Sequence, residues 1–227
     1  VRFRAVAVSL LNKLLEVVRS YYEQVKPIED RFKRMSTFEL LVGTIISQNT
    51  NWRNVERAMA NLRDRGLLSP EGVLRANPRE LEKALRVAGL YRVKAARIRE
   101  IAERIVSSGL SLDDVLRLRW SEARAKLMEL PAVGYKTADI LLAFKAGAPV
   151  IPVDTHIARV SKRLGLVERG AGYEEVRAVL ESAVPPNERN LFHLALIRFG
   201  REVCKAKNPS CDVCPLRDLC PSSTSKP

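Results

Sequence analysis

The chain has 227 residues, 46% of them apolar and 29% charged, with a formal net charge of +13. That length holds one large or two small domains with cores of their own, and the composition is that of a soluble globular protein with no apolar run or basic amphipathic helix to suggest a membrane partner. The charge surplus points to a polyanion, nucleic acid above all, with plain solubility or an origin in a hot environment as the bland source.

The first twenty residues make a poor export signal. Lys13 and Glu16 break the apolar run, and no small-residue cleavage site follows. Val8, Leu11, Leu15 and Val18 instead fall on one face of a helix. The chain is therefore expected to stay inside the cell, in the cytoplasm or nucleoid, with its four cysteines as thiols rather than disulfides.

Strand signals are nearly absent. Ser36 and Glu39 have capping-box spacing. Asn77, Pro78 and Gly89 read as cap, first residue and terminator of another helix. From Tyr91 to Gly109 an apolar face is expected over Val93, Ala96, Ile98, Ile101 and Ile105. Further helices begin at Ser121, Asp154, Tyr173 and near Asn187. The fold class read from this is all-α, about ten helices in two helical lobes, with a frayed tail after Cys220.

All four cysteines lie near the end of the chain, Cys204, Cys211, Cys214 and Cys220, in C-x6-C-x2-C-x5-C spacing. Four thiolates so close suggest one metal centre. Zinc sites usually present two C-x2-C knuckles, and only one occurs here. The uneven spacing suits a [4Fe–4S] cluster better, although both groups accept four cysteines. Lys205 and Lys207 project from the loop between the first two ligands, with Arg198 and Arg201 just before it. They read as a phosphate-binding edge, or as solvated charge around a structural staple.

In "LPAVGYKTAD", Pro131 and Gly134 bracket a turn between two helices. The backbone of Ala132, Val133 and Gly134, the first-turn donors of the next helix and the Thr137 hydroxyl together suit a phosphate, read without reference to base. Such a turn also serves as a mere connection. Lys136 shifts the balance. At a helix start the dipole disfavours its charge and apolar neighbours desolvate it, which favours a neutral, nucleophilic amine. Eighteen residues on, Asp154 stands at another helix start, where an N-cap is the common role and a fixed negative charge an added one.

These stretches, in this order, resemble the endonuclease III family of DNA glycosylases, with helix–hairpin–helix and Gly/Pro-rich loop, over about Ser36 to Cys220. The resemblance implies a six-helix barrel lobe at 31–148 with the helix–hairpin–helix at about 121–146. It implies a cluster lobe from 1–30 and 149–227, with double-stranded DNA in the cleft and a [4Fe–4S] cluster on the four cysteines. It implies a monomer that removes oxidised pyrimidines and cuts the abasic strand, with Lys136 and Asp154 as catalytic residues. Gln48 or Asn49 would fill the gap left by the extruded nucleotide, and Leu90, supported by Tyr91, would press into the opposite strand. Ala132 departs from the family's glycine and is tolerable at negative φ. Tyr135 stands where a basic residue is expected, Trp52 is expected to pack, and His156 and His193 read as structural. Alternatives are a glycosylase for mismatched thymine or alkylated purine, and a non-catalytic DNA-binding module with a structural metal.

Overall fold

The computed structural model describes residues 2–223, with side chains from residue 9 onward. The side chain of Val8 and the last four residues of the tail, on which two of the expectations fall, lie outside what is described. Among the described residues there is no strand, and the helices run α1 (Arg2–Arg19), α2 (Tyr22–Arg34), α3 (Thr37–Ser47), α4 (Trp52–Arg63), α5 (Pro70–Arg75), α6 (Pro78–Leu85), α7 (Tyr91–Ser108), α8 (Leu112–Val115), α9 (Trp120–Met128), α10 (Tyr135–Lys145), α11 (Thr155–Arg163), α12 (Tyr173–Glu181) and α13 (Arg189–Glu202). Two 3₁₀ turns, Arg86–Ala88 and Pro186–Glu188, are added. These thirteen helices exceed the expected ten, in part because α5 and α8, at six and four residues, are too brief to carry a periodicity. No helix among the described residues is long and apolar enough to cross a membrane.

The chain divides into two compact units. One is Phe32–Ala148, and the other joins the chain before it to the chain after it. In the central unit α3 and α10 pack together and are buried almost all round, the pattern of core helices. Phe38, Leu41, Ile45 and Ile46 fill one side of this core, and Ile140, Leu141 and Phe144 the other. Each fully enclosed leucine or isoleucine contributes about 1.5–3 kcal/mol. Ser36 starts α3 with a complete capping box: Glu39 N–H donates to its Oγ at 3.1 Å, and Ser36 N–H to Glu39 Oε2 at 2.8 Å. Helices α4 to α7 wrap the opposite side, with α7 against both α5 and α6. Trp52 packs as expected, its ring 6.0 Å from that of Phe32, which in turn meets Phe144 edge-on at 5.2 Å.

In the terminal unit α13 is the central helix, packed against α1 and α11. Phe192, Leu196 and Phe199 are enclosed, together with Leu14 and Val18 of α1 and Ile157 and Val160 of α11. Leu10 and Leu14 join Leu11, Leu15 and Val18 on the buried side of α1, a wider stripe than the sequence pattern suggests. Arg19 at the end of α1 donates to Glu188, just ahead of α13, through bonds of 2.8 and 2.7 Å.

Candidate functional site

The hairpin is built from α9, a turn at residues 129–134 and α10. Leu130 and Val133 are buried beneath it, while Ala132 and Gly134 stay exposed. Gly134 is the N-cap of α10 in extended conformation and has no side chain to bond the helix start. The first-turn N–H groups, which have no partners within a helix, therefore open onto the exposed face of the turn. Lys136 is the second residue of α10 and is half-buried. Ala132 does not keep negative φ: it sits at +59°. The turn demands a left-handed residue there, and alanine meets the demand at a steric cost of about 1 kcal/mol. Thr137 is only 4% exposed. Its side chain is therefore largely enclosed beneath the turn.

Behind Lys136, α9 and α10 are joined by a buried ion pair. Arg124 reaches the fully enclosed Asp139 through Nε–Oδ1 and Nη2–Oδ2 contacts of 2.9 Å each. The same guanidinium lies 4.7 Å over the Tyr135 ring. Tyr135 thus takes the place expected of a basic residue by stacking beneath an arginine from the neighbouring helix.

Two loops of the central unit present the other expected DNA contacts. Gln48 ends α3, and its Oε1 accepts from Arg97 at 2.9 Å. Asn49 is exposed at φ +54°, a conformation asparagine tolerates. Leu90 is 61% exposed and also left-handed, φ +47°. A large apolar side chain held in solvent on a strained backbone is unfavourable on both counts. Tyr91 opens α7 and is half-buried beside it.

Lys94 is the residue sequence reasoning missed. The expected apolar face of α7 is displaced at its start: Val93 and Ala96 are exposed, and Lys94 is 2% exposed. Its Nζ donates to Ile46 O at 2.9 Å, Ala88 O at 2.8 Å and Thr50 Oγ1 at 2.5 Å. The Thr50 hydroxyl donates in turn to Ala88 O. Burial lowers the lysine's pKa.

In the terminal unit Asp154 is the N-cap of α11, and both cap bonds, from His156 N–H and Ile157 N–H at 2.9 Å, fall on Oδ1. The segment leading into it is fastened by side chains. Ile151 N–H donates to Glu181 Oε1 at 2.8 Å, and Val153 N–H to the Tyr173 hydroxyl at 3.2 Å. His193, 1% exposed, donates from Nδ1 to Pro152 O at 2.8 Å, a carbonyl being only an acceptor. Arg189 donates to Pro149 O. His156 faces Arg159, whose Nη2 lies 3.0 Å from Nδ1 and 2.7 Å from Gly200 O. Burial lowers the His156 pKa, against the pull of Asp154. Both histidines thus serve structure.

The four cysteines line one cavity with walls that include Val160, Leu164 and Phe199. Burial pushes the Cys214 thiol up, a backbone bond from Leu216 opposes this, and Cys204, Cys220 and Cys211 push it further. Four thiolates crowded into an apolar pocket require positive charge at the centre, so the donor set fits an iron–sulfur group. No group of three or more His, Cys, Asp or Glu side chains among the described residues is arranged to hold a single metal ion. Arg163, at the end of α11, shapes the loop between the first two cysteines. It donates to Lys205 O at 2.6 Å and Ala206 O at 2.9 Å, and lies 3.5 Å from Cys204 Sγ. Lys205 and Lys207 are exposed on that loop, and Arg198 pairs with Glu202 at 2.8 Å.

Residues 42–186 match the model of the HhH-GPD superfamily base excision DNA repair protein, and residues 204–220 match the iron-sulfur binding domain of endonuclease III. The chain is 37% identical to endonuclease III of Bacillus subtilis (strain 168), over 81% of this chain and 80% of that one. It is 34% identical to endonuclease III of Thermotoga maritima, over 87% and 89%. Among solved structures, a trapped endonuclease III–DNA covalent intermediate superposes with a TM-score of 0.72 at 32% identity, covering 89% of this chain and 96% of that one. The chain belongs to the endonuclease III family of the HhH-GPD superfamily, DNA glycosylases of base excision repair that bind DNA and an iron–sulfur cluster.

Proposed function

We propose that this glycosylase is bifunctional, with Lys136 as its nucleophile. The observation that carries the reading is the position of Lys136: half-buried, second in a helix whose start has no side-chain cap, directly behind an exposed hairpin turn. The covalent DNA intermediate trapped in an endonuclease III 32% identical to this chain supports the same chemistry.

The Lys136 amine attacks C1′ of the sugar as the damaged base leaves with the glycosidic electron pair. Loss of a proton from nitrogen and opening of the sugar ring give a Schiff base. The Schiff base acidifies the C2′ proton; its removal and loss of the 3′ phosphate by β-elimination cut the strand. Asp154 offsets positive charge developing on the sugar, with Oδ2 outside the cap bonds that occupy Oδ1. The backbone of Ala132, Val133 and Gly134 holds a phosphate, and Lys205 and Lys207 hold the strand electrostatically. Asn49 fills the gap in the duplex, since Gln48 is engaged by Arg97. Leu90 wedges the opposite strand with Tyr91 beneath it. The favoured lesion is an oxidised pyrimidine in double-stranded DNA or an abasic site, and the protein works as a monomer. Cys204, Cys211, Cys214 and Cys220 would hold a [4Fe–4S] cluster, which supplies a rigid cross-link to the loop carrying the two lysines.

The test uses duplexes bearing thymine glycol, an abasic site or a T·G mismatch, with borohydride present. A covalent adduct is expected with the first two and is lost in Lys136→Ala; Asp154→Asn slows base release. An adduct that persists in Lys136→Ala refutes the assignment. Base release without an adduct, favouring T·G, makes the enzyme monofunctional. Iron content and visible absorption decide the cluster type.

A further inference from the structure

Lys94 has no role in the chemistry just described, yet its surroundings are unusual. A fully enclosed ammonium normally faces a carboxylate. Here its three bonding partners are neutral oxygens: Ile46 O, Ala88 O and Thr50 Oγ1. Ile46 lies in the last turn of α3, and Ala88 ends the 3₁₀ turn. Both carbonyls lie at helix C-termini, where partial negative charge collects and a cation is favoured.

Those two carbonyls stand immediately before the two loops that carry the exposed left-handed residues. Asn49 follows Ile46 by three residues, and Leu90 follows Ala88 by two. Thr50, the third partner, lies on the far side of Asn49, so the first loop is held at both of its feet. The second loop is held by the ammonium at Ala88 O, and at its other end by the opening backbone bond of α7, Lys94 N–H to Leu90 O at 3.0 Å. The Thr50–Ala88 bond ties one loop directly to the other. The Lys94 ammonium and the Thr50 hydroxyl bonded to it thus fix the spacing of the two protrusions.

We propose that Lys94 is a positioning residue for duplex distortion: its ammonium holds the Asn49 and Leu90 loops as one rigid tool, so the two side chains enter the duplex together. This rests on the reading of Asn49 and Leu90 as inserting residues. An apolar residue of equal length would fill the same space, take the ammonium from all three acceptors and leave Ile46 O without it, with the Thr50–Ala88 bond as the remaining described tie. The loops would then be held by one bond in place of a shared cation while the core stayed packed.

The experiment measures affinity for a duplex with a tetrahydrofuran abasic analogue, with 2-aminopurine opposite it, against affinity for the same duplex undamaged. Neither readout needs turnover. In Lys94→Met the ratio of specific to non-specific affinity is expected to fall about ten-fold, the order set by losing hydrogen bonds to a charged group. The 2-aminopurine signal of the saturated complex is expected to fall with it. Thr50→Val, which removes one partner and leaves the lysine in place, is expected to shift both readouts in the same direction by less. Lys94→Met combined with Leu90→Ala should lose less than the sum of the single losses. An unchanged ratio in Lys94→Met and Thr50→Val, with a loss in Leu90→Ala, overturns the positioning role and leaves the wedge intact. No loss in Leu90→Ala removes the wedge itself, and the proposal with it. Equal loss of specific and non-specific binding in Lys94→Met makes the residue a general stabiliser and also overturns the proposal.

Discussion

Arg124 and Asp139 couple the two helices of the hairpin through charge: Asp139 lies three residues beyond Lys136, wholly enclosed, and Arg124 meets both of its oxygens at 2.9 Å. Substituting Arg124→Met takes the guanidinium away from that buried carboxylate. A loss of up to about 3–5 kcal/mol is expected, read as a lower urea midpoint. Adding Asp139→Leu should recover most of it, because an apolar pair of similar volume avoids the desolvation cost. If Arg124→Met alone costs no more than a surface change, the pair does not hold the hairpin.

Ala132 gives the opposite sign. At φ +59° it bears strain that glycine would not. Ala132→Gly is expected to raise stability by up to about 0.5 kcal/mol, the strain relieved less the added freedom of the unfolded chain. Because the phosphate-facing donor is backbone, affinity for undamaged duplex should change by less than about two-fold. Thermal unfolding and a salt-controlled binding titration check the two parts separately.

Much of the fold was legible because its signals are local. The Ser36–Glu39 box, the Asn77 cap with Pro78, the left-handed Gly89 and Gly109, and the Asp154 cap all sit within four residues of the bonds they govern. The cysteine spacing was equally open to reading, since four thiols in one short segment have few other uses. Lys94 was not legible. Its acceptors at Ile46 and Ala88 are 48 and 6 residues away, and periodicity scores a lysine as solvent-facing. For the same reason Val93 and Ala96 were assigned to a face they do not occupy. The left-handed Ala132 was hidden as well, because turn geometry overrides the preference of the residue that happens to stand there.

Gly200 sets how closely α13 approaches α11. A Cβ there would meet His156 Cβ at 3.0 Å and Arg159 Nη2 at 3.4 Å. Gly200→Ala is expected to cost about 1–3 kcal/mol, as overpacking does. The arginine tip can move aside, but His156 Cβ cannot. His156→Ala keeps that carbon, so the double variant Gly200→Ala, His156→Ala should show no rescue. Recovery of the melting temperature in the double variant would place the obstruction in the imidazole ring instead. Because Arg159 also donates to Gly200 O and Cys204 O, iron retention is expected to fall along with stability in Gly200→Ala.

The Arg19–Glu188 pair predicts a pH dependence. Its bond to Arg19 holds the Glu188 carboxyl below its ordinary range, against the effect of burial and with help from the Tyr22 hydroxyl at 3.1 Å. Burial and then Glu188 push that phenol's own pKa up, so it stays a donor across the neutral range. A depressed carboxylate stabilises the fold above its unfolded pKa of about 4.3, and the contribution fades as pH falls through the lower folded value. Arg19 is half exposed, so solvent screening limits the gain to below about 1 kcal/mol, and added salt should reduce it. Glu188→Gln is therefore expected to be less stable than the parent at pH 7 and to show a shallower loss on acidification, the two curves converging at the acid end. Parallel curves from pH 7 to pH 3, measured by chemical denaturation at low salt, would show that the pair contributes nothing that depends on the charge of Glu188.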